Sequence, residues 1–355
     1  MKHRFLWSSV TVVTAIAAIA FLTAPMVAQT PKPAAPAANS TAKPWTPPRT
    51  AWGDPDLQGV YTSDDYINVG LQRAANMGTR LYLTDEEIAA RDKQVQTAAN
   101  NALQEFANPN GNVGTGPPGH WGERARRAPR QTSLVVEPED GQMPALTADG
   151  RQRQFVANQM RQGAGTARPA ESWENYSYYI RCITRGLAGS VLPVIYGNGT
   201  EIVQGPGYVA ILQEMVHEAR IIPLDGRPHL GNGIRSYMGD SRGRFEGNTL
   251  VIETTNFLEN RTGIGLNGGG APTSDALRVT ERLTRLDKDT VNYEMRVEDP
   301  KTFTAPFKIA FPIRQEPGYQ NFEYACHEGN HGMMNQLSGS RADERAAEEA
   351  ARQQR

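Results

Sequence analysis

From Glu201 to Cys326, polar and apolar residues alternate in short runs, and most of these runs end at a tight-turn sequence. Alternation with period two puts one face of a run in a core and the other in water, which is the pattern of a half-buried strand. It is carried by Glu201–Gln204, Tyr208–Met215, Glu218–Leu224, Thr249–Asn256, Leu277–Leu286, Val291–Val297, Phe303–Ile313 and Asn321–Cys326. Between them stand Gly205-Pro206-Gly207, Asp225-Gly226, Glu246-Gly247-Asn248, Asp287-Lys288-Asp289 and Pro317-Gly318, whose residues favour turns. No strand–helix–strand rhythm interrupts the series, which excludes an α/β enzyme fold. Short strands joined by short turns predict a mainly β protein, an antiparallel up-and-down barrel or a sandwich with peripheral helices.

Residues 201–338 are thus the expected barrel core. Residues 51–200 read as an extension of helices and loops packed on it. In that extension Thr84 and Glu87 have the spacing of a capping box, and a helix with a thin apolar stripe follows to Phe106. Residues 108–130 are rich in Gly, Pro and Arg and read as a solvated loop around His120 and Trp121. Ser133–Pro138 is a short strand candidate and Thr147–Met160 a second helix. Trp173, Tyr176, Tyr178 and Tyr179 cluster beside Arg181, Cys182 and Arg185, as a plug over the barrel end or as the lining of a ligand groove. Residues 339–355 form a polar tail with no apolar stripe.

The N-terminus reads as an export signal. Lys2, His3 and Arg4 precede an uncharged apolar run from Phe5 to Leu22, and small residues follow at Ala24 and Ala28. We therefore expect a signal peptide at 1–28, a Pro/Ala-rich linker at 29–50 and a secreted or periplasmic domain with no stable membrane insertion. An oxidising compartment makes a bridge between the chain's two cysteines, Cys182 and Cys326, the expected state; two buried free thiols are the alternative. Lys and Arg number 37 against 38 Asp and Glu, so no basic excess points to nucleic acid.

Polar residues on otherwise apolar strand faces mark a candidate site. Glu281 shares a face with Val279 and Leu283, Asn256 follows Leu250 and Ile252 in phase, and Asp299 ends the face of Val291 to Val297. An inward carboxylate needs a partner, either a structural Arg or a polar ligand. His217, Asp225, His229, Asp240 and Arg242 fall where strands should end, so they are placed at one barrel mouth, with Glu281 and Asn256 deeper. Two functions compete, and a structural envelope protein tethered by the Pro/Ala-rich linker stands as a third. One is binding of a small, partly apolar molecule, through His229, Asp240, Arg242, Asn256, Asp299, Tyr178 and Arg181. The other is an acid/base enzyme, a lyase, isomerase or hydrolase, using His217 with Asp225 or Glu281. No cofactor and no metal are expected. His327-Glu328-Gly329-Asn330-His331 spells a zinc-protease pattern, but Gly-Asn inside it opposes the helix that such a site needs. Gly263–Gly270 lacks a following Lys-Ser/Thr and reads as a flexible loop, not a phosphate cradle.

Arg220–His229, Tyr237–Phe257 and Val297–Thr304 together resemble a large group of secreted bacterial proteins of unknown function, over roughly Trp52 to Gly339. The resemblance implies secretion and a shared fold, and no activity. The group commonly has Trp where this chain has Phe245, and a residue other than His at the position of His331. The Gly59-Val60-Tyr61 turn is similar to the Gly-x-Trp opening of lipocalin-like barrels.

Overall fold

The computed structural model describes residues 45–107, 122–161, 168–316 and 318–354. The expected signal peptide, most of the linker, and His120 and Trp121 in the Arg-rich loop lie outside the described residues.

Ten strands join in one sheet, and every strand pairing in it is antiparallel. They are β1 (Gly59–Thr62), β2 (Val135–Glu137), β3 (Gly199–Gly205), β4 (Tyr208–Gln213), β5 (Ala219–Pro223), β6 (Asp240–Glu246), β7 (Thr249–Thr255), β8 (Arg278–Arg285), β9 (Thr290–Glu298) and β10 (Phe307–Gln315). Their order is β5-β4-β3-β1-β10-β9-β8-β7-β6, with β2 pairing the start of β10 beside β1. The sheet curls into a nearly closed barrel whose open seam lies between β5 and β6. Gly243 of β6 explains how the seam narrows. A Cβ there would sit 2.9 Å from Ile222 and 2.7 Å from Leu224, so its absence lets the end of β5 and the residue after it lie against β6.

The inward positions follow the alternation. Ile202, Val209, Ile222, Ile252, Met295 and Phe311 are among the side chains at 2 % exposure or less, and they belong to one continuous apolar cluster that fills the barrel. The interior is therefore a packed core.

Among the described residues four α-helices lie around it: α1 (Asp85–Ala107), α2 (Ala148–Met160), α3 (Gly186–Val191) and α4 (His331–Gln353). The capping box at Thr84 forms, with Thr84 Oγ1 accepting from Glu87 N and Glu87 accepting from Thr84 N. Thr147 caps α2 by accepting from Gly150 N.

The fold differs from expectation in four places. β1 and β2 come from the extension, so residues 51–200 supply strands to the barrel as well as packing on it. β6 escapes an apolar pattern because its inward residues are Ser241 and Gly243. Asn321–Cys326 is not a strand. Phe322 is 70 % exposed there, and the segment is held by the bridge at Cys326 and by Tyr324 stacking on Tyr196. The helical tail begins at His331, earlier than expected, and Ser340 is buried where its Oγ accepts from Ala170 N.

Cys182 and Cys326 form a disulfide across 144 residues, with Cα atoms 5.6 Å apart. It ties the aromatic segment to the chain leading into α4. No helix among the described residues is long and apolar enough to cross a membrane.

Candidate functional site

The mouth residues expected to converge separate into three groups. His217 ends a short turn between β4 and β5, and its side chain lies outside the described part of the structure. Asp225 follows the other end of β5, so a strand of five residues stands between them. A strand advances about 3.3 Å per residue, which puts the two well beyond hydrogen-bond reach. Asp225 instead forms an exposed ion pair with Arg227, which holds its carboxyl low, at about 2. The His217–Asp225 pairing is therefore corrected.

Glu281 is equally committed. Its carboxylate accepts from Arg220 Nη1 at 2.6 Å and Nη2 at 2.9 Å, and from the Tyr293 hydroxyl at 2.9 Å. Both members of the ion pair are buried, at 4 % and 0 % side-chain exposure. This is the structural Arg partner, and it removes Glu281 as an acid/base for His217. Burial opposes the Arg220 charge, but Glu281 outweighs it and holds the guanidinium above its usual range.

His229, Asp240 and Arg242 do come together at the start of β6. His229 Nδ1 lies 3.0 Å from Asp240 Oδ2, Leu230 N donates to the same oxygen, and Arg242 Nη1 donates to Oδ1 at 2.6 Å. Burial pushes the Asp240 carboxyl up, but these hydrogen bonds outweigh it and hold it below the usual range. Asn256 belongs to this group and not to the barrel interior. Its φ of 58° breaks the strand phase, and its amide donates to the carbonyls of Leu230, Gly231 and Ile234. Together these residues fasten the long β5–β6 connection. Asp299 plays a like part elsewhere, accepting from Ser274 N and Oγ and from Thr302 Oγ1. Neither Asn256 nor Asp299 has an amide or carboxylate left free for a ligand.

Tyr178 and Arg181 line a cleft of about 260 Å³ at the barrel end where β6 and β8 begin. Its walls are the last turn of α2, the aromatic segment and the glycine-rich β7–β8 connection. Arg181 lies 4.4 Å over the Trp173 ring and 5.0 Å over that of Tyr178. Arg261 approaches the same Tyr178 ring at 5.8 Å and donates from Nη1 to its hydroxyl at 2.7 Å. A cation held over an aromatic face gains about 0.5–2 kcal/mol depending on desolvation. Neither arginine makes an ion pair with a carboxylate among the described residues. Tyr237 packs on Tyr178 at 5.7 Å and joins the cleft to the His229–Asp240 group.

The glycine-rich wall is packed, not flexible as expected. A Cβ on Gly189 of α3 would fall 2.2 Å from Gly268 N, and one on Gly263 would fall 2.4 Å from Gly269 O. The glycines thus permit backbone to pack on backbone and fix the wall against α3. Asn175 Nδ2 donates to Met160 O and fastens the aromatic segment to α2.

Two buried polar atoms of the cleft have no hydrogen-bond partner among the described residues: the Tyr176 hydroxyl and Asn267 Oδ1. Tyr176 is 6 % exposed. Arg261 and Asn267 were missed in the sequence, where a loop rich in glycine hides them. Their signal was an Arg and an Asn among small residues, in a stretch long enough to cross the barrel end.

A second polar cluster was also missed. Glu123 and Asp64 are hydrogen-bonded to each other, and Asn198 Nδ2 donates to both at 2.8 Å. Residues 122–130 are therefore pinned to the barrel and do not form a solvated loop. Around His327 to His331 the chain makes turns, and α4 starts only at His331, so the two histidines do not share a helix face. Among the described residues no three His, Cys, Asp or Glu side chains gather as a metal ion would require.

Searches against protein-family models, curated proteins and solved structures find no match for this chain.

Proposed function

We propose that this protein is a secreted or periplasmic barrel that binds a small, partly apolar molecule, and that the molecule sits in the cleft beside Tyr178 and Arg181. One observation carries the reading: two guanidinium groups share one phenol ring at the cleft, with no carboxylate neutralising either among the described residues. Such a pair offers charge and flat apolar surface together, as small-molecule sites do. The packed barrel core supports a ligand outside the barrel instead of within it. The apolar N-terminal run after Lys2, His3 and Arg4 supports export, and the Cys182–Cys326 bridge fits an oxidising compartment. The balanced charge favours a small molecule over nucleic acid as the partner. Acid/base chemistry through His217 has no partner left in Asp225 or Glu281.

The test is a ligand-observed NMR screen of single-ring compounds against the mature protein and its Tyr178→Ala variant. Compounds that bind the first and not the second support the cleft. Binders indifferent to Tyr178→Ala would place the ligand elsewhere and sink the reading.

A further inference from the structure

We propose that the cleft takes a single-ring aromatic acid that carries a hydroxyl group at the end away from its carboxylate. This rests on the reading of the cleft as the ligand site and names the class of ligand.

The cleft has two chemically distinct ends. The outer end is cationic: Arg261 is exposed, Trp173 is 50 % exposed, and Arg181 bridges Trp173 and Tyr178. Guanidinium groups recognise carboxylates through paired N–H donors. Glu174 also lines the cleft, so a singly charged carboxylate suits it better than a doubly charged phosphate.

The inner end is neutral and unsatisfied. Tyr176 is 94 % buried by the complement of its 6 % exposure, and its hydroxyl lacks an acceptor. Asn267 Oδ1 lacks a donor. Buried polar atoms nearly always find partners, and one left unmade costs about 1–3 kcal/mol. A ligand hydroxyl both donates and accepts, so it is the one neutral group that can serve an unmet donor and an unmet acceptor alike. A carbonyl could serve only Tyr176, and an ammonium, which could donate to both, carries the same charge as Arg181 and Arg261 of the cleft.

Ala157, Met160, Pro272 and the Tyr178 ring also line the cleft. These suit a flat apolar body. The volume, about 260 Å³, falls just under the range of roughly 300–1,000 Å³ that drug-sized ligands occupy, which limits the body to one ring.

The experiment is calorimetric titration of the mature protein with 4-hydroxybenzoate, benzoate and 4-methylphenol. We expect 4-hydroxybenzoate to bind at least about tenfold more tightly than either of the others, each of which lacks one end of the match. Tyr176→Phe should abolish the preference over benzoate while leaving benzoate binding intact, and Asn267→Gly, which keeps the positive φ of 55°, should weaken it. Arg261→Gln should abolish the preference over 4-methylphenol. If 4-methylphenol binds as tightly as the acid and both are lost in Tyr178→Ala, the cleft is a ligand site and the acid class is wrong. If 4-hydroxybenzoate binds but ignores Tyr178→Ala and Arg261→Gln, the cleft reading itself fails. Absence of heat from all three at millimolar concentration overturns the ligand class, and the NMR screen then judges the cleft alone.

Discussion

Arg220 of β5 and Glu281 of β8 meet inside the barrel through two parallel hydrogen bonds, 61 residues apart in sequence and buried from water. Tyr293 of β9 closes the group with its hydroxyl. Removing one partner strands the other's charge in the core. Glu281→Gln or Arg220→Met should each cost about 3–5 kcal/mol of stability, measured by urea denaturation. The double change Arg220→Met with Glu281→Leu should cost less than either single change. Strictly additive losses would mean the two charges are not stabilised by each other.

Glu123 should give the protein a pH-dependent stability near neutrality. Burial, then the neighbouring Asp64 carboxyl, push its pKa up to about 8 from an ordinary value of 4.5. Between these values the folded chain keeps a proton that the unfolded chain has lost. Folding then binds more protons, so stability is full below about pH 4.5 and declines as pH rises towards 8. Glu123→Gln cannot titrate and should flatten this part of the profile, at some loss of stability at every pH. Melting temperatures of both proteins from pH 5 to 8.5 would decide it, and parallel profiles would remove Glu123 as the source.

The Cys182–Cys326 bridge should leave no free thiol in the denatured, unreduced protein. The Cys182→Ser, Cys326→Ser double variant should lose up to about 4–5 kcal/mol, since a bridge across so long a loop restricts the unfolded chain strongly. Binding of the proposed ligand at Arg181, the residue before the bridge, should weaken more than stability alone explains. An unchanged affinity in the folded double variant would separate the bridge from the cleft.

Gly189→Ala tests whether the glycine-rich wall is fixed by backbone contact. The new methyl group would lie 2.2 Å from Gly268 N, so α3 and the wall must part. Overpacking of this kind costs about 1–3 kcal/mol. Gly207→Ala, at a turn with nothing near its Cβ position but a φ of 82°, should lose stability through backbone strain and leave the cleft untouched. Equal effects of the two on ligand binding would contradict the packing argument.

The Asp240 fastening can be tested apart from binding. Asp240→Asn should release His229, Arg242 and the β5–β6 connection at a cost of about 1–3 kcal/mol. Because the Asp240 pKa is depressed, its contribution is present at neutral pH and is lost as pH falls through the folded value. Acid-titrated stability of wild type and variant should therefore converge at low pH. Hydrogen exchange confined to residues 224–239 would locate the loosening.

In most of the barrel, the order of amino acids is enough to tell which residues face the core. In β8 and β9 the alternation names the buried side chains one by one, Glu281 included, because a strand has period two whatever lies beside it. The capping of α1 was legible because a cap is equally local and acts within four residues. The paired cysteines were legible from their even count and from the export signal that the N-terminus reads as. What each buried group meets is a matter of how the strands and loops come together in space. Arg220 faces Glu281 because β5 curls round to close on β6, and Arg261 reaches Tyr178 across 83 residues because the β7–β8 connection packs on α3. His217 and Asp225 are eight residues apart in number but lie beyond opposite ends of one strand. Periodicity reports burial, which is a local property of a strand. Partnership depends on strand order and loop packing, which are set by the whole chain.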